Sequence, residues 1–175
     1  MPGEGGAKFV LNNTAVSNFS AVRCMDILRE RYGGRLVVTP EVLAEAERGP
    51  EPGAMRRALE EGWVEVRQLY ADSEEYAVFV ELREKGFGLG EATALAVCSS
   101  QGVWVFVSDD LDARKEARRR GIGVVGTYGV LARHVAEDRL SLEEGNRLLR
   151  AMIDEGFRSH SDDLNTEVER LRSRR

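Results

Sequence analysis

The sequence predicts an α/β fold, a three-layer α/β/α sandwich around a central, mostly parallel sheet. Two observations carry this. Short apolar runs alternate with longer amphipathic stretches along the chain, the pattern of a parallel sheet covered by helices on both faces. A cluster of small polar residues follows most of the apolar runs, at the carboxyl strand ends where such sheets bind ligands.

The elements follow in order. Lys8–Leu11 is apolar, with Phe and Val, and suits a buried strand. Thr14–Tyr32 has helical spacing at Val16, Phe19, Val22, Met25 and Leu28, and Gly33-Gly34 stops it. Leu36–Val38 is a second strand. Thr39-Pro40-Glu41 opens a helix, with Thr as cap, Pro in the first turn and an acid near the positive end. Gly49, Pro50, Pro52 and Gly53 break the chain before a short helix at Ala54–Glu61 and a strand at Trp63–Val66. Ser73–Lys85 is an amphipathic helix, GFGLGE a glycine-rich turn, and Ala92–Ser100 a helix of small residues. The unbroken VWVFV of Val103–Val107 is the strongest strand signal. Leu111–Arg120 is a basic helix and Gly123–Val125 the last strand. Helices at Tyr128–Glu137, Ser141–Glu155 and Ser161–Arg172 complete the chain, and the basic end RLRSRR is expected to fray.

The 175 residues fit a single domain, with a core over 8–160 and a helical tail over 161–175. Apolar residues make up 42% and charged residues 31%, the mark of a soluble globular chain. No stretch approaches the roughly 20 apolar residues that span a membrane. MPGEGGAK lacks an apolar signal region, so a cytoplasmic setting is expected. Cys24 and Cys98 are too few and too far apart for a disulfide framework or a Cys-x-x-Cys metal site. Cys98 reads as a small core residue. The net charge of −5 argues against a broad basic surface for nucleic acid. Contact with a polyanion must use local basic patches or a bound cation.

The polar clusters at strand ends are Asn12-Asn13-Thr14, Thr39-Pro40, Ser108-Asp109-Asp110-Leu111-Asp112 and Gly126-Thr127. Taken singly, each reads as a helix cap. Glu91 is harder to explain, because it shares a helical face with Leu95 and Cys98 that should be buried. Glu45 borders the apolar stripe of its helix, whereas Glu41 and Glu47 look solvated. Together Glu45, Glu91 and the Asp109/Asp110 pair would set several carboxylates around one end of the sheet. Such a cluster repels itself. A divalent cation removes that penalty, and oxygen-only ligands suit Mg²⁺ or Mn²⁺. His134 and His160 have no ligand spacing to each other or to a cysteine, which argues against zinc.

Five blocks in order carry a resemblance: NNTAVSNF at 12–19, TPEVLAE at 39–45, GEATALAV at 90–97, SDDLDARKEA at 108–117 and GTYGVL at 126–131. The chain resembles PIN-domain proteins, most closely the branch carrying Gly-Glu-Ala and Gly-Thr-x-Gly-x-Leu, with VapC-type toxins of toxin–antitoxin pairs as relatives. The resemblance implies a ribonuclease with carboxylate-bound Mg²⁺ or Mn²⁺. It places Glu45, Glu91 and Asp110 at the family's acids, with Asp109 competing for the last. Ser108 and Thr127 become supporting hydroxyls, Asn13, Thr14 and Asp112 their neighbours, and Arg114 a basic position that touches a phosphate or pairs with an acid. An RNA substrate, a small antitoxin protein and a homodimer are the partners it implies.

One position departs from the family, which has Asp where this chain has Asn12. Val16 and Phe19 set that register, with Asn13 as the adjacent fallback. An amide lends one oxygen but no charge. A charge pair near 4 Å is worth roughly 4 kcal/mol at an effective dielectric of about 20, so metal affinity and activity should both fall. A naturally weakened nuclease and an introduced silencing change both fit. In the active form, a cation would polarise the phosphate and activate a water, with a carboxylate as proton acceptor. Arg114, Lys115, Arg118, Arg119 and Arg120 form a basic run that either grips a phosphate or is a solvated helix surface. Three other readings compete: an inactive PIN-fold binding module, a haloacid-dehalogenase-type phosphatase built on Asp110-Leu111-Asp112, and a nucleotide-binding sheet suggested by GFGLGE.

Overall fold

The computed structural model describes residues 6–102 and 104–174. Five strands form one sheet: β1 (Phe9–Leu11), β2 (Leu36–Val38), β3 (Val64–Val66), β4 (Val105–Val107) and β5 (Gly123–Val125). Their order is β3-β2-β1-β4-β5, and every pairing is parallel. The strands are short and, at the centre, wholly buried, as continuous apolar runs in a covered parallel sheet must be. The helices are α1 (Asn13–Ala21), α2 (Asp26–Tyr32), α3 (Pro40–Ala46), α4 (Ala54–Glu60), α5 (Glu74–Glu84), α6 (Leu89–Ser99), α7 (Leu111–Arg119), α8 (Thr127–Ala136), α9 (Leu142–Asp154) and α10 (Asn165–Arg172). They flank the sheet in an α/β/α arrangement. None is long and apolar enough to cross a membrane.

The strand order has a functional consequence. The chain builds outward from β1 to β2 and β3, then returns to add β4 and β5 on the other side of β1. The two connections leaving β1 and β4 therefore diverge, and a crevice opens between their carboxyl ends. The register joins Leu11 to Val107, and Asn12 N–H donates to the Val107 carbonyl at 2.8 Å. Asn12 and Ser108 are thereby set side by side at the switch point.

Several elements depart from the sequence reading. The helix expected over Thr14–Tyr32 is two helices. Arg23 turns the chain with φ 54°, and Cys24 N–H closes onto the Phe19 carbonyl at 2.9 Å. The apolar periodicity runs across this corner because both helices face the same core, through Phe19 and Leu28. The strand expected at Val103–Val107 begins at Val105, with Val103 outside the described residues. GFGLGE is only partly a turn, since Leu89 already begins α6. The C-terminal end is anchored further than expected. Leu164 and Val168 are buried, α10 packs on α8, and the Arg172 guanidinium donates to the Val135 carbonyl and to Asp138; Arg175 lies outside the described residues.

Candidate active site

The carboxyl end of the sheet gathers the buried polar groups. Asn12, Thr39, Ser108 and Thr127 follow β1, β2, β4 and β5 and are at most 1% exposed. Each could survive there only with hydrogen-bond partners, and those partners define the site. Asn12 caps α1, its carbonyl oxygen accepting from Asn13 N–H at 2.8 Å. Its amide donates to Ser108 Oγ at 2.9 Å. Ser108 Oγ also accepts from Asp110 N–H at 3.2 Å and lies 3.3 Å from Thr14 Oγ1. Thr14 Oγ1 accepts from Asp109 N–H at 3.0 Å. A hydroxyl pair thus staples the end of β1 to the loop after β4. Thr39 caps α3 and lies 3.0 Å from the Thr93 hydroxyl, which docks α3 on α6.

The acids divide into two environments. Glu91 lies in the first turn of α6, half-buried, with one oxygen accepting from Gly88 N–H. Burial pushes its pKa above the ordinary value, and the charges of Asp110 and Glu45 push it further; the Asn12 amide opposes them. Glu45, near the end of α3, accepts from Gly90 N–H at 3.2 Å. Asp110 caps α7 by accepting from Ala113 N–H at 2.8 Å. Glu91 is therefore within electrostatic reach of Asp110 and Glu45 and of the Asn12 amide.

Asp109 faces elsewhere. It accepts from Thr127 N–H at 2.8 Å, from the Thr127 hydroxyl and from the Asn18 amide at 3.0 Å. Arg114 stands 4.0 Å away and donates to the Ser108 carbonyl at 3.2 Å. Burial raises the Asp109 pKa despite these donors. Burial also lowers that of Arg114. Asp112 is exposed and pairs with Lys115 at 3.2 Å. Asp110-Leu111-Asp112 therefore presents no joined pair of acids, which removes the phosphatase reading. GFGLGE follows helix α5 rather than a strand, which removes the nucleotide-binding one.

Glu41 differs from expectation: one of its carboxylate oxygens is buried with no hydrogen-bond partner. Three residues have roles that the sequence reading does not assign. Asn18 bridges Asp109 and Thr127 from one turn along α1. Gly90 is more than part of a motif, because a Cβ there would lie 2.6 Å from Glu45 Oε1. Gly126 has the same role beside Asp109, also at 2.6 Å. The helical spacing of Asn18 and the two glycines were the available signals.

Do these residues fit a hard cation? The side chains facing Glu91 are the carboxylates of Asp110 and Glu45 and the amide of Asn12. The Asn13 side-chain oxygen is buried and unpartnered, and Asn13 lines a cleft with Asp110. Uncompensated repulsion on Glu91 is what a cation would relieve. Yet among the described residues no three acids converge as a preformed metal-binding group. Position 12 contributes no charge, and Glu45 and Asp110 each give an oxygen to a backbone N–H. The set fits a cation that would draw its ligands together.

A PIN-domain family model matches residues 8–173. The chain belongs to the PIN-domain family. Among solved structures, it is similar to a PilT N-terminus domain protein from the hyperthermophilic archaeon Sulfolobus solfataricus P2, at 18% identity and a TM-score of 0.51, covering 71% of this chain and 90% of that one. At that identity the likeness bears on the fold alone. No curated protein matches the sequence. PIN domains are generally nucleases that use divalent metal ions. In this PIN domain, Asn12 and Ser108 lie where the sheet order opens its crevice.

Proposed function

We propose that this PIN domain is a Mg²⁺- or Mn²⁺-dependent endoribonuclease whose activity is attenuated by Asn12. The observation that carries the reading is Glu91, a half-buried carboxyl flanked by Asp110 and Glu45 and met by the Asn12 amide at the switch point of the sheet. Glu45, Glu91 and Asp110 would hold the cation, with Asn12 offering at most one oxygen. The bound cation would supply charge neutralisation of the phosphate and a lowered pKa for an attacking water. The chain's own groups do the rest. A carboxylate of the cluster would accept the proton from that water. Asp109 does not ligate in this reading. It fixes Thr127 and Arg114, and Ser108 and Thr14 hold the two strand ends in register. The cation also reconciles a chain of net charge −5 with a polyanionic substrate.

A second reading has its own support. The Asn12 amide donates into the cluster, to Ser108 and toward Glu91, and so partly performs the neutralisation that a cation would. A binding module that has dispensed with metal would be built this way. The test compares RNA cleavage in Mg²⁺ and in Mn²⁺ by the natural chain, by Asn12→Asp and by Asn12→Asp/Glu91→Gln. The nuclease reading expects Asn12→Asp to cleave at least tenfold faster than the natural chain, and the double variant to lose that gain. A folded, Mn²⁺-binding Asn12→Asp protein that leaves RNA intact would overturn it.

A further inference from the structure

Two clefts meet beside the acids. One, of about 520 Å³, opens on Asn13, Asn18, Asp109 and Asp110. The other, of about 580 Å³, runs between α7, α8 and the segment before α10. They share Asp109, Leu111, Phe157 and Arg158, so one groove leads from Asp109 and Asp110 along this side of the molecule. Its outer half carries five arginines against two acids, in a chain whose total charge is negative. Arg114 and Arg118 are one helical turn apart, and Arg118 disfavours the charge on Arg114. Among the described residues neither Arg118 nor Arg158 has an ion-pair or hydrogen-bond partner, and both are exposed. Elsewhere on α7 the cations are already used: Arg119 and Arg120 grip Glu116, and Lys115 pairs with Asp112. The basic run thus divides by helical face, and only the face along the groove is left to receive an anion.

The same groove offers an exposed ring. His160 packs on Tyr128 with ring centroids 4.3 Å apart, and the Tyr128 hydroxyl is tied to the Asp163 carbonyl at 2.9 Å. That bond fixes the tyrosine, while His160 is exposed. Arginines spaced along a groove beside an exposed ring supply the two elements that hold a single strand, phosphate pairing and base stacking.

We propose that this groove binds the single-stranded RNA flanking the scissile phosphate, with Arg118 and Arg158 pairing to backbone phosphates and His160 stacking on a base. The proposal rests on the reading of the acids as a cleavage site, and it supplies the local basic patch that an acidic chain requires. Leu111 and Phe157 form the shared wall past which the strand runs from the arginines to Asp110.

The test is fluorescence anisotropy with a labelled 12-nucleotide oligouridylate in EDTA, so that binding is read without cleavage. Arg118→Glu/Arg158→Glu is expected to weaken binding at least tenfold. It should also reduce the slope of log Kd against log salt by about 1.4, the contribution of roughly two single-strand phosphate contacts. His160→Ala should weaken binding about fivefold or more with the salt slope unchanged. Circular dichroism melts check folding, which charge reversal at two unpaired, exposed arginines should preserve. Unchanged affinity and slope in the arginine variant would overturn the proposal. So would competition by duplex RNA equal to that of single strand, or displacement by an oligoglutamate as effective as displacement by RNA. Cleavage of the dinucleotide UpU by Asn12→Asp, too short to reach the arginines, reports on the acids separately. If UpU and longer RNA both resist cleavage while binding still follows Arg118 and Arg158, the nuclease reading fails and the groove stands.

Discussion

A carboxylate at position 12 should make the protein less stable without metal and more responsive to it. The Asn12 side chain is 1% exposed and donates to Ser108. In Asn12→Asp the hydrogen bond can survive by reversal, because the serine hydroxyl can donate to a carboxylate. What is added is a buried negative charge beside Glu91, which already carries the repulsion of Asp110 and Glu45. At a separation of about 5 Å and an effective dielectric near 20, that is roughly 3 kcal/mol of new repulsion. For a domain of this size, each kcal/mol moves Tm by about 2–4 °C. Without metal, Asn12→Asp should therefore melt about 6–12 °C below the natural chain.

Mn²⁺ should offset most of the loss. A cation at about 100 times its Kd adds roughly 2.7 kcal/mol, and the fourth carboxylate should bring the variant into that regime at millimolar Mn²⁺. The natural chain should need higher concentrations for the same shift. Differential scanning fluorimetry in EDTA and in a Mn²⁺ series measures both quantities. If Asn12→Asp melts with the natural chain in EDTA and gains no more from Mn²⁺, position 12 does not face the acids, and the electrostatic reasoning fails.

Glu91 is raised, so its folded form holds a proton over a range where the unfolded chain has released it; stability should rise as pH falls from neutral toward its ordinary 4.5. Below that value, Glu116, held near 2 by Arg119 and Arg120, loses its contribution and stability should fall again. Urea titrations across pH should show the maximum, and Glu91→Gln should shrink its upper limb, leaving the part carried by Asp109, whose pKa is also raised. Thr127→Val deletes a buried hydroxyl that donates to Asp109 and should cost about 1–3 kcal/mol in urea unfolding; a cost under a few tenths would mean Asp109 finds another donor. Gly90→Ala forces Glu45 off its backbone contact. Its stability should fall by about 1–3 kcal/mol, and calorimetry of Asn12→Asp/Gly90→Ala should show weaker Mn²⁺ binding than Asn12→Asp alone. Undiminished Mn²⁺ affinity would place Glu45 outside the coordination.

The parts of the fold that were legible in the sequence are those with a local cause. Thr39-Pro40 reads as a cap because the hydroxyl, the fixed proline φ and the first-turn acid act within a few residues, and α3 begins there. Gly123–Val125 is found to the residue. The Val22–Met25 corner was missed because both helices bury apolar residues against one core, so periodicity persists where the backbone turns. Asp109 and Asp110 were indistinguishable in sequence because what separates them is non-local. Thr127 and Asn18 take one, and Glu91 feels the other. Glu41 was read as solvated from its helix alone, but the burial of its oxygen is set by neighbouring elements.

The basic run on α7 joins these points. In sequence it is one block of charge, and its two candidate roles could not be separated. In three dimensions the helix period assigns Arg119 and Arg120 to Glu116 and leaves Arg118 on the groove side with Arg114. Arg114 is held by Asp109, which is held by Thr127 and Asn18. The orientation of that cationic face is therefore coupled to the buried network at the sheet's carboxyl end. Removing Asn18 by Asn18→Ala should loosen Asp109 and with it Arg114, while leaving Glu45, Glu91 and Asp110 in place. The expected result is weaker oligouridylate binding in EDTA, by severalfold, with Mn²⁺ binding by the Asn12→Asp background unaltered. Loss of both would mean that acids and arginines form one structural unit, rather than two parts joined through Asp109.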